Sequence, residues 1–187
     1  AAGVGSLLAQ GHAIAFIEPS AEVQDDASVE QRIDLDHIRP DLAEALAARR
    51  ATLDCERPEA VAKRHAKGFR TARENIDAVL DEASFIEYGG LAVAAQRGRH
   101  PLDHLKRATP ADGIVCGMGT VNAAQFGAQH ARTLIAAYDY SVYAGTQGHF
   151  NHQKQDRLFQ LAARIERPLV LFAEGGGGRP GDVDMPI

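Results

Sequence analysis

At 187 residues, with 45% hydrophobic and 24% charged side chains, the chain is sized for one globular domain with a packed core. A formal net charge of −5 argues against a general nucleic-acid binder, and no apolar run reaches the roughly 18 residues of a membrane span. Cys55 and Cys116 show neither CxxC nor framework spacing. They read as reduced cytosolic thiols, and the first residues lack the basic region of a signal peptide, so a cytoplasmic protein is expected.

Ala1 to Pro19 carries two short apolar runs parted by glycine turns, which predicts a pair of β-strands too small to stand alone. Ser20 to Asp36 follows with six acidic residues against Arg32 and reads as a linker. From Pro40 the pattern turns helical, with Leu42, Leu46 and Leu53 on one face. A second helix is predicted over Pro58 to Ala66. Thr71-Ala-Arg-Glu74 has the form of a capping box, opening a helix that buries Ile76, Val79 and Leu80. Ser84 to Tyr88 resembles a strand, and Arg97 to Arg107 a basic loop.

The second half alternates strand and helix. Strands are predicted over Gly113 to Val121, Thr133 to Ala137, Tyr140 to Tyr143 and Leu169 to Phe172. A helix from His149 to Ile165 carries Phe150, Leu158, Leu161, Ala162 and Ile165 on one stripe. The last strand empties into Gly175-Gly-Gly-Gly178 and Arg179, at the carboxyl end where α/β sheets bind ligands. Consecutive glycines can aim bare amides at one oxygen atom, or simply form a surface turn. The dinucleotide pattern is spoiled by Pro180, and the Lys-Ser/Thr pair of a P-loop is missing.

Gly145-Thr146-Gln147-Gly148 precedes the long helix, where unpaired amides and the helix dipole suit an anion or carbonyl, or serve plain capping. The intervening order of elements allows both glycine turns to lie close together. His149 and His152, three apart and without a third ligand, do not fit a metal site. His152 and Lys154 line a site mouth or face water. Arg57, Lys63, Arg64, Lys67, Arg70 and Arg73 form a local basic cluster that suits phosphates or a solvated helix face. With no nucleophile elbow and no cysteine near a base, what the chain offers is backbone donors of the kind that stabilise an enolate oxygen.

Thr71 to Glu87, Asp112 to Asn122, Tyr138 to Gly148 and Glu174 to Arg179 resemble, in order, the N-terminal half of the carboxyltransferase component of biotin-dependent acyl-CoA carboxylases. The likeness covers residues 40–187. Residues 1–19 look like the last strands of a biotinyl carrier domain, with 20–39 the acidic linker. The resemblance implies an α/β, crotonase-like ββα spiral in part, preceded by helices and a short β fragment. It implies transfer of a carboxyl group from carboxybiotin to the α-carbon of an acyl-CoA, with the thioester enolate held by backbone amides. Carried over, the catalytic residues are Gly176 and Gly177 as donors, with Arg179. Those touching coenzyme A are Arg70, Arg73, Gly145, Thr146, Gln147, Gly148 and Lys154. Gly175 stands where the family commonly has serine, and Gln147-Gly148-His149 departs from Leu-Gly-Glu.

The same resemblance implies biotin carried on a segment outside this chain. It implies ATP and Mg²⁺ used only by a separate biotin carboxylase component, a second carboxyltransferase half, and at least a homodimer. No residue here would be biotinylated, and the chain, read as a piece of a longer polypeptide, is expected to be inactive alone. The alternative is a crotonase-fold hydratase, isomerase or decarboxylase with Glu174 as its carboxylate. A non-catalytic CoA-binding or assembly domain is a third reading. Acyl chain length is not legible in the sequence.

Overall fold

A computed structural model describes Leu7, Ala9 to Gly11, Asp34 and residues 36–184. The strands expected in 1–19 and most of the acidic stretch lie outside the described residues. The chain divides between His37 and Ile38 into two units, and the second carries every helix and strand of the described residues.

Its elements in chain order are α1 (Pro40–Arg50), α2 (Pro58–His65), α3 (Ala72–Asp77), β1 (Ile86–Tyr88), α4 (Leu102–Ala108), β2 (Ile114–Thr120), α5 (Ala123–Phe126), β3 (Arg132–Tyr138), α6 (His149–Ile165) and β4 (Leu169–Phe172). The strands form one mixed sheet in the order β1-β2-β3-β4. β1–β2 and β2–β3 are antiparallel, whereas β4 runs parallel to β3, as a helical crossover requires.

Strand alternation divides the core into two faces. On one, Val115, Ile135 and Ala137 with the half-buried Val170 and Phe172 pack against Ala72, Ile76 and Leu80 from α3 and the turn after it. On the other, Ile114, Cys116, Leu134, Ala136 and Tyr138 meet Leu158, Leu161, Ala162 and Ile165 of α6. α3 is short, and its start is fixed by the expected capping box. The Glu74 amide donates to Thr71 Oγ1 at 3.1 Å, and the Thr71 amide donates to Glu74 Oε2 at 2.8 Å. Gly119 of β2 has no side chain because Leu80 Cδ1 would lie 2.6 Å from its Cβ.

α6 and β4 have the predicted bounds, and α2, β2 and β3 lie within a residue of theirs. Three expectations fail. Tyr140 to Tyr143 is not a strand: the Asp139 carboxylate accepts the Ser141 amide at 2.9 Å, and Tyr143 and Ala144 take φ of 46° and 54°. Such angles belong to turns. Part of the expected basic loop is α4, begun at Pro101 and anchored by Leu105, which is wholly buried beside Val93 and Ala94. Finally, α1 stops at Arg50, so Leu53 lies beyond it, and Leu42 and Leu46 are exposed.

Candidate functional site

Phe172 ends β4, and the chain enters the four glycines through Glu174. The loop lies against the turn before α6. Gly145 and Gly175 meet backbone to backbone, with no space for a Cβ on either. A short parallel bridge joins the turns: the Gln147 amide donates to Gly177 O, and the Arg179 amide to Gln147 O, each at 2.8 Å. The expected juxtaposition of the two glycine turns is therefore present. Gly177 takes φ of 82°, which reserves the position for glycine. Gly175 to Gly178 are exposed, and the amides of Gly176 and Gly177 have no hydrogen-bond partner among the described residues. They are bare donors just past the carboxyl end of β4.

Arg179 is placed differently from a group that meets solvent or ligand. Its side chain is only 3% exposed and ion-paired with the fully buried Asp112. It also donates to Thr146 O at 2.9 Å and lies 5.2 Å from the Tyr143 ring centroid. Asp112 sits in a run of three positive-φ residues, Ala111 to Gly113. Its second oxygen accepts the Asn151 amide at 2.8 Å. Asp182 likewise accepts the His149 amide at 2.8 Å. The first turn of α6, expected to offer donors to an anion, thus already has two of them filled by the protein's own carboxylates.

The inner face of α6 is polar where an apolar stripe was expected to begin. Phe150 is exposed, and Asn151 and Gln155 are buried instead. Gln155 Nε2 donates to Asn151 Oδ1 at 2.6 Å, and Tyr138 donates its hydroxyl to Gln155 Oε1 at 2.8 Å. Gln147 Nε2 donates to that hydroxyl oxygen at 3.0 Å. The chain of bonds runs from Asp112 back to the glycine turn.

Lys154 points inward. Its ammonium donates to the carbonyls of Ala111 at 2.7 Å and Ile114 at 2.5 Å, bracketing Asp112. Burial holds its pKa below that of an ordinary lysine, and the same burial raises the Cys116 thiol, which is thereby an inert packing group.

Beside the loop lies a cleft of about 590 Å³ whose lining includes Arg57, Lys63, Arg64, Lys67 and Arg107. Arg57 is taken by Asp139 at 2.6 Å. Arg64 is buried between Phe69 and Tyr140 and grips Glu174 with both terminal nitrogens, at 2.8 and 2.7 Å. Lys63, Lys67 and Arg107 make no ion pair among the described residues. Of the two arginines expected to meet coenzyme A, Arg70 is exposed outside the cleft lining and offers its carbonyl to Arg64. Arg73 is committed to Glu87 at 3.0 and 3.1 Å and to Thr52 O at 3.0 Å.

Asp112, Asn151, Gln155 and the Arg64–Glu174 pair were not singled out from the sequence. The signal available was the alternation of polar residues along α6 at spacing four, which also describes a solvated face. No group of three or more metal-ligating side chains occurs among the described residues, and no helix there is long and apolar enough to cross a membrane.

A mixed antiparallel and parallel sheet flanked by helices is the arrangement of a carboxyltransferase domain of crotonase-like fold. Residues 63–184 match the carboxyl transferase domain family, and the chain belongs to it. It is 38% identical to the propionyl-CoA carboxylase beta chain of Saccharopolyspora erythraea over 64% of this chain and 20% of that protein. The beta5 subunit of a biotin-dependent acetyl-/propionyl-coenzyme A carboxylase of Mycobacterium tuberculosis is 34% identical over 82% of this chain and 26% of its own. Among solved structures, a single-chain, multi-domain long-chain acyl-CoA carboxylase is similar with a TM-score of 0.75 and 58% identity, covering 78% of this chain and 15% of that one. The chain spans about a fifth to a quarter of the length of the curated relatives it matches.

Proposed function

We propose that this chain supplies the acyl-CoA side of a biotin-dependent carboxyltransferase. The observation that carries the reading is the pair of unpartnered amides on Gly176 and Gly177, fixed at the end of β4 beside the basic cleft. Arg64 lines that cleft and holds Glu174, so cleft and loop are neighbours. Phosphates of coenzyme A fit the ammonium groups of Lys63 and Lys67 and the guanidinium of Arg107, none of them spent on an internal carboxylate. The thioester carbonyl then meets the glycine amides. As the α-proton leaves, negative charge gathers on that oxygen, and donors already in place stabilise it without reorganising. The carboxyl group that the enolate carbon receives would come from biotin carried on another segment, whose ureido nitrogen, losing the carboxyl group, would take up the α-proton in exchange.

In this reading the roles of Arg73, Arg179 and Lys154 are to hold the framework, and Thr146, Gln147 and the flanking Gly145 and Gly148 form the floor under the loop. ATP and Mg²⁺ act in a separate biotin carboxylase component, and a second carboxyltransferase half completes the site across a subunit contact. The domain plan of a carrier end at 1–19, a linker at 20–39 and the carboxyltransferase part at 40–187 belongs to the same proposal. The hydratase alternative needs Glu174 as a free acid or base. With both its oxygens held by Arg64, Glu174 instead suits a structural role.

The test supplies the full-length polypeptide and its partners with ATP, ¹⁴C-bicarbonate and a panel of acyl-CoAs, with and without avidin. Avidin-sensitive label in one acyl-CoA is the expected result. No fixation in the assembled system overturns the proposal.

A further inference from the structure

The four glycines are exposed, and at Gly177 and Gly178 no atom stands within 4 Å of where a Cβ would be. Nothing packs on that half of the loop to shape it, and glycine backbone samples more conformations than any other. Its amides are preorganised from its two ends, from the backbone contact of Gly175 with Gly145 and from the bridge to Gln147. Both ends are charged, and with opposite sign. Glu174 enters the loop and Arg179 leaves it.

Each is held by a partner from a distant part of the chain. At the entry, Arg64 of α2 bonds both Glu174 oxygens and is itself fixed by Arg70 O at 2.9 and 3.1 Å. At the exit, Asp112 binds Arg179, and is fixed by the Asn151 amide. The carbonyls of Ala111, just before Asp112, and of Ile114, two residues after it, are bonded to Lys154. Arg64 and Asp112 therefore come from two separate parts of the chain, α2 and the turn before β2.

We propose that the Arg64–Glu174 and Asp112–Arg179 ion pairs form a two-ended clamp that sets the aim of the Gly176 and Gly177 amides, making Arg64 and Asp112 positioning residues for the reaction. The inference rests on the carboxyltransferase reading of the loop. A displacement of about 1 Å in a catalytic group costs up to about 100-fold in rate, whereas ground-state binding through a remote phosphate cleft need not change. The clamp accordingly acts on kcat more than on KM.

The test compares Glu174→Gln, Arg64→Lys and Asp112→Asn in the assembled carboxylase, reading kcat and KM for the acyl-CoA. Amide hydrogen exchange of the same proteins is read at Gln147 and Arg179 and, as a reference, in β2 and β3. The expected result is a kcat lowered by roughly 10- to 100-fold with KM little changed. Protection should be lost at Gln147 and Arg179 while the β2–β3 ladder keeps its own. Asp112 is fully buried, and if its variant does not fold, Glu174→Gln at the more exposed pair decides the outcome. Wild-type kcat in Glu174→Gln and Arg64→Lys, or loss of protection spread equally over the sheet, overturns the clamp. If the wild-type assembly transfers no carboxyl group, the functional reading fails, and the exchange data still decide whether the ion pairs hold the loop.

Discussion

Gly145 and Gly175 touch through bare backbone: the carbonyl of each turn occupies the space that a Cβ on the other would need. This contact gives a physical reason for glycine at 175, where serine is common in the family resemblance. With the turns this close, no side chain fits.

Gly175→Ser, and equally Gly175→Ala, should push the two turns apart and misalign the Gly176 and Gly177 amides. The expected loss is up to about 100-fold in carboxyl transfer, together with a lower thermal midpoint. Gly178→Ala, with open space at its Cβ and no positive φ, should leave that midpoint unchanged. Calorimetry of the three proteins separates the two effects.

Lys63→Ala and Lys67→Ala should weaken coenzyme A binding without altering stability, and the loss should shrink as salt rises. Arg73→Ala should do the reverse. Its pair with Glu87 is largely buried, so leaving Glu87 alone costs about 3 kcal/mol of stability. Titration calorimetry with coenzyme A beside denaturant melts distinguishes the classes.

Removing the Thr71 hydroxyl breaks the side-chain arm of the capping box at α3. Thr71→Ala should lower unfolding free energy by about 1 kcal/mol, read from denaturant melts. Asp54 loses a partner in the same change, since the Thr71 hydroxyl donates to its carboxylate at 2.5 Å.

Two carboxylates give the protein an acid-sensitive component. The Asp81 pKa is lowered by the amide of Ala123, the Thr120 hydroxyl and the amide of Asn122. That of Glu74 is lowered first by the Thr71 amide and then by His65. A depressed folded pKa contributes stability that is complete above the ordinary values of 3.8 and 4.5, and is lost as pH falls through the lower folded ones. Asp81→Asn should therefore flatten the fall of stability below about pH 4. Denaturant midpoints measured from pH 7 to 3 check it.

Much of the fold was legible where periodicity and punctuation agree. Leu169 to Phe172 is short, apolar and followed by glycine, and α6 begins after Gly148 and ends at Ile165 with Glu166 left-handed. Tyr140 to Tyr143 misled because tyrosine and valine favour strands, while the Asp139–Ser141 side-chain bonds bend the backbone away. The glycine loop and its neighbouring turn were visible as composition. Asp112, Asn151 and the pairing of Arg64 with Glu174 were not, because their significance is contact across tens of residues, and a lone polar or charged letter carries no address for its partner. The polar inner face of α6 was hidden for a related reason: satisfied buried amides look, in sequence, like surface.

β4 lies at the margin of the sheet, paired on one side with β3 alone among the described residues, and Leu171 is partly open to solvent. An apolar margin of this sort is a template on which another strand can add. The strand that delivers the glycine loop is thus also one of the two margins at which copies of this chain can pair. Purification at low concentration, or with a charged solubility partner, protects the loop and the fold together.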